Sequence, residues 1–144
     1  MFNCHPVFLS KKDISLYYEG FSNKTIWPLF HYFTQFVIHN KSYWQAYCAV
    51  NEHFSRIVSE IAREDDLIWI HDYQLMLTPK LIREKKPDVA IGYFHHIPFP
   101  SYELFWLLPC RRQLLEGLIG SNLLGFHTDD YARHFKQRSS PSRT

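Results

Sequence analysis

The first half of the chain has apolar residues at the spacing of amphipathic helices. Between residues 43 and 63 this spacing predicts one long helix, capped by Ser42, with apolar positions at Trp44, Tyr47, Cys48, Phe54, Ile57, Val58 and Ile61. Ser10 to Asp13 resembles a capping box with Asp in place of Glu, which predicts a helix over 10–19 after a short strand at 7–9. A turn at 20–23 and a helix over 28–38, with Pro28 in its first turn, complete this half.

Three short apolar runs replace this pattern after residue 64. They lie at 67–70, 89–94 and 123–126, and helical patterns separate or follow them over 73–85, 101–108, 111–119 and, after a Thr128 cap, to about residue 137. Continuous apolar strands that alternate with helices indicate parallel βαβ units covered on both faces. The predicted fold class is α/β, with a parallel sheet flanked by helices.

Composition limits which kinds of partner the chain can bind and which cellular compartment suits it. The 144 residues are 46% hydrophobic and 17% aromatic with a net charge of +2, so they fit one domain or a piece of a larger one. Such a small charge argues against binding to nucleic acid or to a membrane surface, and no apolar run approaches the ~20 residues that span a bilayer. Three distant cysteines without a CxxC pair indicate a reducing compartment, and no secretory signal is visible, so we expect a cytoplasmic protein.

Each of the three predicted strands ends in polar, titratable residues. These endings are His71-Asp72, His95-His96 and His127-Thr-Asp129. The carboxyl ends of parallel strands lie at one edge of an open sheet, where ligands bind. The pattern therefore predicts a crevice lined by histidine and aspartate, with prolines at 98 and 100 ending the second strand.

Several interpretations of these residues stay open on sequence grounds. His71 and His127 fit a structural role in which their rings tie loop backbones together, and Asp72 could cap the helix that follows it. Trp27, Tyr17 and Tyr18 could be core residues, or exposed aromatic faces that pack against sugar rings.

Two kinds of chemistry compete for the crevice. A metal-dependent hydrolase would use histidine and aspartate as ligands, but adjacent side chains such as His95 and His96 diverge and no HxH or HExxH spacing occurs. A carbohydrate site would use Asp72 to accept hydrogen bonds from hydroxyl groups, and His96 to donate one while backbone holds its other nitrogen.

Five segments together resemble one enzyme family. They are YYEGFSNKTIWPLFHY (17–32), WQAYCAVNEHF (44–54), DDLIWIHDYQLMLTPKLIR (65–83), IGYFHHIPFPSYELFWLLPCR (91–111) and LLGFHTDDYARHF (123–135). In this order and spacing they closely resemble the trehalose-6-phosphate synthases, retaining glycosyltransferase family 20. The resemblance implies the acceptor-side, partial Rossmann-like domain of a two-domain GT-B fold. It also implies transfer of glucose from UDP-glucose to glucose-6-phosphate, with the leaving diphosphate helping to deprotonate the incoming hydroxyl.

The resemblance also implies roles for individual residues. Tyr18 matches a residue near the acceptor phosphate, and Trp27 one that lies along the acceptor sugar. Asp72 matches the carboxylate that holds acceptor hydroxyls, and His96 the histidine that contacts the sugars at the reacting centre. The family implies no metal and no cofactor. His95 replaces a residue that is usually apolar, so we expect it to pack in the core.

The resemblance implies a fragment. Residues 1–135 are expected to form the partial acceptor-side domain, and the tail 136–144, KQRSSPSRT, to be disordered or foreign to the family. The family's amino-terminal strand, glycine-rich loop and phosphate-binding arginine would precede Met1, and its donor domain would follow Phe135. We therefore expect the isolated chain to be inactive, with a non-catalytic sugar-phosphate-binding or partner-dependent subunit as the alternative. The full-length protein is a candidate homo-oligomer.

Overall fold

The computed structural model describes residues 4–139, the last two by their backbone alone. Its core is a sheet of three parallel strands in the order β1-β2-β3, namely β1 (Leu67–His71), β2 (Ala90–His95) and β3 (Leu123–Phe126). The connections contain α4 (Thr78–Lys85) between the first two strands, and α5 (Tyr102–Phe105) and α6 (Arg111–Ile119) between the last two. These elements confirm the predicted parallel α/β architecture.

The helices cover one face of this sheet. Register pairs Trp69 with Gly92 and Ile70 with Tyr93, so alternate residues face opposite sides. Ile70 and Tyr93 are buried, whereas Trp69 is 43% exposed on the other face, beside Leu67 at 68%. When each successive parallel strand is added at the same edge of the sheet and each crossover is right-handed, the connecting helices all lie on the same face. The prediction of a sheet covered on both faces is therefore wrong for the described residues.

A long helical segment precedes the sheet and packs against α3 (Lys41–Ile61). The segment begins with α1 (Lys11–Asp13), continues as a π-helix (Ile14–Ile26) and ends with α2 (Trp27–Phe30). The capping box is confirmed, because the Ser10 hydroxyl accepts from the Asp13 N–H and the Asp13 carboxylate accepts from the Ser10 N–H. The predicted strand at 7–9 is irregular, since among residues 4–139 no strand lies beside it to form a ladder.

Three predicted boundaries in this half are wrong for local reasons. The predicted turn at 20–23 is helical, and Gly20 serves close packing: a Cβ there would lie 2.8 Å from the Tyr43 ring. The helix predicted over 28–38 ends at Phe30, because Tyr32 has φ 68° and the chain turns back to a short 3-10 turn (Thr34–Phe36). The predicted cap Ser42 is wrong as well: Asn40 caps α3, because its side chain accepts from the Ser42 N–H.

The last helix, α7 (Asp129–Ser139), packs beside β3 and begins after Thr128, whose hydroxyl accepts from the Tyr131 N–H. Its length corrects the tail prediction at residues 136–139, which are helical. The remainder of the predicted tail lies outside the described residues. In the described part of the chain, no helix is both long and apolar enough to cross a bilayer.

Candidate functional site

Strand alternation separates the two neighbouring histidines that end β2. His95 pairs in register with Phe126 and faces the helices, while His96 faces the open side of the sheet. His95 is fully buried among aromatic rings, with Phe30 and Phe99 each 5.5 Å away between ring centroids. Burial lowers the pKa of His95 to about 3, and the Pro98 carbonyl opposes this shift only in part. His95 is thus a neutral core residue, as its replacement of an apolar residue predicts.

His96 lies in a group of imidazoles contributed by all three strand ends. Its Nε2 lies 2.9 Å from Nδ1 of His71, and the two rings stack at 26° with centroids 5.2 Å apart. The His127 ring approaches His96 edge-on at 5.6 Å. The predicted meeting of the three strand ends is confirmed. The expectation that backbone holds the second ring nitrogen of His96 is wrong, because His71 holds it.

Asp72 connects the ends of β1 and β2. Its Oδ1 accepts from the backbone N–H of Tyr73 at 2.9 Å and from that of His96 at 3.2 Å. Its carboxylate therefore caps the single 3-10 turn (Tyr73–Leu75), while α4 starts only at Thr78. Asp72 thus caps this turn and not the predicted helix over 73–85, and its carboxylate lies against the backbone of His96.

The backbone of Asp72 is strained. Its φ of 74° and ψ of 173° fall in a region that is essentially reserved for glycine. Two contacts hold this conformation: the Asp72 N–H donates to the Phe94 carbonyl at 2.9 Å, and the Tyr93 hydroxyl donates to the Asp72 carbonyl at 2.8 Å. The carboxylate is thus fixed at the sheet edge from both sides of its own backbone.

The π-helix brings Tyr18 and Trp27 to one face. A helix closed by i→i+5 bonds advances about 4.4 residues per turn, so nine residues make two turns. In an α-helix, nine residues make about two and a half turns and would place these rings on opposite sides. The two rings are 47% and 39% exposed, which argues against core roles for them, whereas Tyr17 is buried.

Tyr73 links Asp72 to the π-helix through hydrogen bonds at both ends. Burial raises the pKa of Tyr73 to about 12, and the nearby Asp72 and Tyr18 add to the rise. The Tyr73 hydroxyl also donates to Asn23 on the π-helix at 2.9 Å. Trp27 is held differently, by stacking on His31 at 3.9 Å and on Phe33 at 6.3 Å. The structure thus joins Asp72 to His96 directly and to Asn23 of the π-helix through Tyr73, while Trp27 belongs to a neighbouring aromatic group.

Anchors around the turn after His96 were missed by sequence reasoning. Tyr32 accepts from the Ser101 N–H through its hydroxyl at 3.0 Å, and His134 contacts the Phe99 carbonyl at 2.9 Å. These partners are 69 and 35 residues apart in sequence. His71 was given a structural role at a strand end, in which its ring would tie loop backbone; the structure instead places its Nδ1 against the His96 ring, a contact that depends on the strand register.

The site is an open edge of the sheet. Two cavities, of about 350 and 560 Å³, lie beside α3, and neither is lined by Asp72 or His96. Within residues 4–139, no group of three or more histidine, cysteine, aspartate or glutamate side chains is arranged to hold a metal ion. The edge presents a carboxylate, imidazoles and nearby aromatic faces, a set that suits hydrogen bonding to hydroxyl groups.

The comparisons with known proteins all indicate the same family. The profile of glycosyltransferase family 20 matches residues 1–141. The chain is 51% identical over 134 residues to alpha,alpha-trehalose-phosphate synthase (UDP-forming) A of Dictyostelium discoideum, covering 93% of this chain and 18% of that protein. It is 50% identical over 134 residues to a bifunctional trehalose-6-phosphate synthase/phosphatase of Thermoproteus tenax, covering 92% and 18%.

Solved structures agree with this similarity. An alpha,alpha-trehalose-phosphate synthase of Burkholderia xenovorans, in complex with glucose-6-phosphate, superposes with a TM-score of 0.83 at 38% identity, covering 87% of this chain and 28% of that one. A structure from E. coli bound with UDP-2-fluoro glucose gives a TM-score of 0.87 at 36% identity, covering 94% and 31%.

These matches cover only part of each relative. The chain spans less than a third of the length of the curated relatives, from 18% to 32%. The similarity extends along nearly the whole chain, and it confirms the predicted partial Rossmann-like domain of a GT-B fold. The chain therefore belongs to glycosyltransferase family 20.

Proposed function

We propose that this chain forms the acceptor side of a trehalose-6-phosphate synthase, which transfers glucose from UDP-glucose to glucose-6-phosphate with retention at the donor carbon. The observation that carries the proposal is the contact between Asp72 and the His96 backbone at the carboxyl edge of the sheet. Family membership and the glucose-6-phosphate complex of the Burkholderia relative support the choice of acceptor. The free cysteines suit a cytoplasmic setting.

The residues take separate roles in this proposal. Asp72 accepts hydrogen bonds from acceptor hydroxyls, and His96 contacts the sugars where the new bond forms. Tyr18 lies near the acceptor phosphate, and Trp27 offers an aromatic face to the sugar ring. The protein contributes mainly position and charge stabilisation, because the leaving diphosphate of the donor helps to take the hydroxyl proton.

A chimera tests this proposal. Residues 6–135 replace the matching segment of the Dictyostelium relative, and UDP release from UDP-glucose is measured with glucose-6-phosphate as acceptor. We expect turnover that Asp72→Asn and His96→Ala each lower by about 100-fold or more. Gln74→His is the matched control, because the Gln74 side chain has no proposed role at the site. A folded but inactive chimera, or unchanged rates in both site variants, would refute the proposed roles.

The purified 144-residue chain tests whether the acceptor side catalyses the reaction by itself. We expect it to release no UDP by itself, because the acceptor edge alone leaves charge on the donor diphosphate unstabilised. Binding of glucose-6-phosphate without turnover is the expected behaviour of the chain. Turnover by the chain alone would contradict this expectation.

A further inference from the structure

The contact between His71 and His96 determines which atoms of the site remain free for a ligand. Because a hydrogen bond needs one donor and one acceptor, one of the two facing nitrogens carries a hydrogen and the other a lone pair. Nε2 of His96 is therefore occupied. Oδ1 of Asp72 is also occupied, by two backbone N–H groups. Nδ1 of His96 and Oδ2 of Asp72 are the atoms left to meet a substrate.

No other described contact of the His96 ring restrains its rotation and its tautomer together. Phe94 packs against it at 4.7 Å and His127 approaches it edge-on at 5.6 Å, but ring packing does not select one nitrogen over the other. The backbone of His96 is fixed by Asp72, which leaves the side-chain rotation and the tautomer to be set. The bond to His71 restrains the rotation, and it sets the His96 tautomer because a donor at Nδ1 of His71 requires a lone pair at Nε2 of His96, which leaves the hydrogen of His96 on Nδ1.

We propose that His71 is a positioning residue that holds the His96 imidazole in one rotamer and one tautomer, with Nδ1 directed to the substrate. This assignment rests on the proposed function, in which His96 contacts the reacting sugars. The ring planes differ by only 26° and the rings meet through these two nitrogens, so a shift of His71 moves the ring of His96 with it. A displacement of about 1 Å at a reacting centre can lower the rate by about 100-fold.

Nitrogen NMR on the labelled chain tests the assignment directly. In the wild-type chain we expect a scalar coupling across the hydrogen bond between Nδ1 of His71 and Nε2 of His96, and a single His96 tautomer. His71→Leu removes the partner and should produce an average of two tautomers. His71→Asn should restore a hydrogen bond to Nε2 of His96 and with it the ring orientation, because its side-chain amide lies close to the position of the histidine Nδ1.

His127→Leu is the matched control, because it removes an imidazole that touches the same ring without a nitrogen–nitrogen contact. We expect it to leave the His96 tautomer unchanged. Absence of the coupling in the wild-type chain, or a His71→Leu spectrum like that of the wild type, would overturn the assignment. The coupling measurement needs no variant, so it decides the question even if His71→Leu fails to fold.

Titration with glucose-6-phosphate distinguishes this inference from the proposed function. We expect the ligand to shift the Nδ1 signal of His96 more than the Nε2 signal, and to bind the His71→Leu chain roughly tenfold more weakly. A wild-type chain with the coupling but without any response to glucose-6-phosphate would refute the acceptor site and leave the His71 assignment intact. Binding of glucose-6-phosphate by a wild-type chain without the coupling would refute the His71 assignment and leave the acceptor site intact.

Discussion

Replacing Tyr47 with phenylalanine removes one oxygen atom that serves two buried backbone groups. The Tyr47 side chain is fully buried, and its hydroxyl donates to the Tyr73 carbonyl at 2.7 Å and accepts from the Met76 N–H at 3.0 Å. Both groups belong to the loop that follows Asp72. The substitution changes no other atom, so the effect on stability reports this hydroxyl alone.

The magnitude follows from the number of groups left without a partner. Each lost hydrogen bond is worth about 1 kcal/mol, and each buried backbone group left unpaired costs about 1–3 kcal/mol. We therefore expect Tyr47→Phe to lower the free energy of unfolding by about 2–4 kcal/mol. For a domain of this size, that loss corresponds to a fall in Tm of roughly 5–15 °C.

Tyr17→Phe provides a matched control on the same loop. The Tyr17 hydroxyl donates to the Gln74 carbonyl at 3.0 Å, and that carbonyl also accepts from the Asn51 side chain at 3.0 Å. Removal of the Tyr17 hydroxyl leaves no backbone group unpaired, so we expect a loss of only about 0.5–1.5 kcal/mol.

Urea denaturation followed by circular dichroism measures both variants. The midpoint should move while the m-value stays constant, because the substitutions do not change the surface exposed on unfolding. Equal losses for the two variants, or a loss below about 1 kcal/mol for Tyr47→Phe, would refute the reasoning from unpaired backbone groups.

Three further predictions concern backbone strain and pH. Asp72→Gly should be more stable than Asp72→Ala by about 1 kcal/mol in thermal denaturation, because glycine adopts φ 74° without strain. His95 stays neutral in the folded chain but takes up a proton when unfolded below its ordinary pKa of 6.5, so stability falls as the solution is acidified. His95→Leu should remove about 2 kcal/mol of this loss between pH 7 and pH 5, measured by urea denaturation at each pH. Tyr32→Phe should lower stability by about 1 kcal/mol through loss of the bond to Ser101, and Tyr32→Gly should be more stable than Tyr32→Ala in thermal denaturation because of the φ of 68°.

Each of these predictions has a clear contrary result. Equal stabilities of the glycine and alanine variants at residue 72 would show that the backbone there is unstrained. An unchanged pH dependence in His95→Leu would show that His95 is protonated in the folded chain. A Tyr32→Gly variant no more stable than Tyr32→Ala would show that the left-handed conformation at residue 32 costs nothing.

Local patterns predicted the second half of the chain well. The strands at 67–71 and 123–126, the helix at 111–119 and the Thr128 cap follow from apolar runs and capping residues that act over a few positions. The first half was harder to predict from sequence, because the π-helix depends on packing against α3 and not on local spacing. Its path brings Tyr18 and Trp27 to one face, which α-helical periodicity would have placed apart.

The pair His95-His96 shows where sequence alone reaches its limit. The sequence by itself determined that polar groups follow each strand, and its resemblance to a family singled out Asp72 and His96. Only the tertiary structure decided that His95 lies among the core aromatics and that His96 bonds to His71, 25 residues away in the chain. Register between parallel strands makes that choice, because a shift by one residue would exchange the two faces and bury the other histidine.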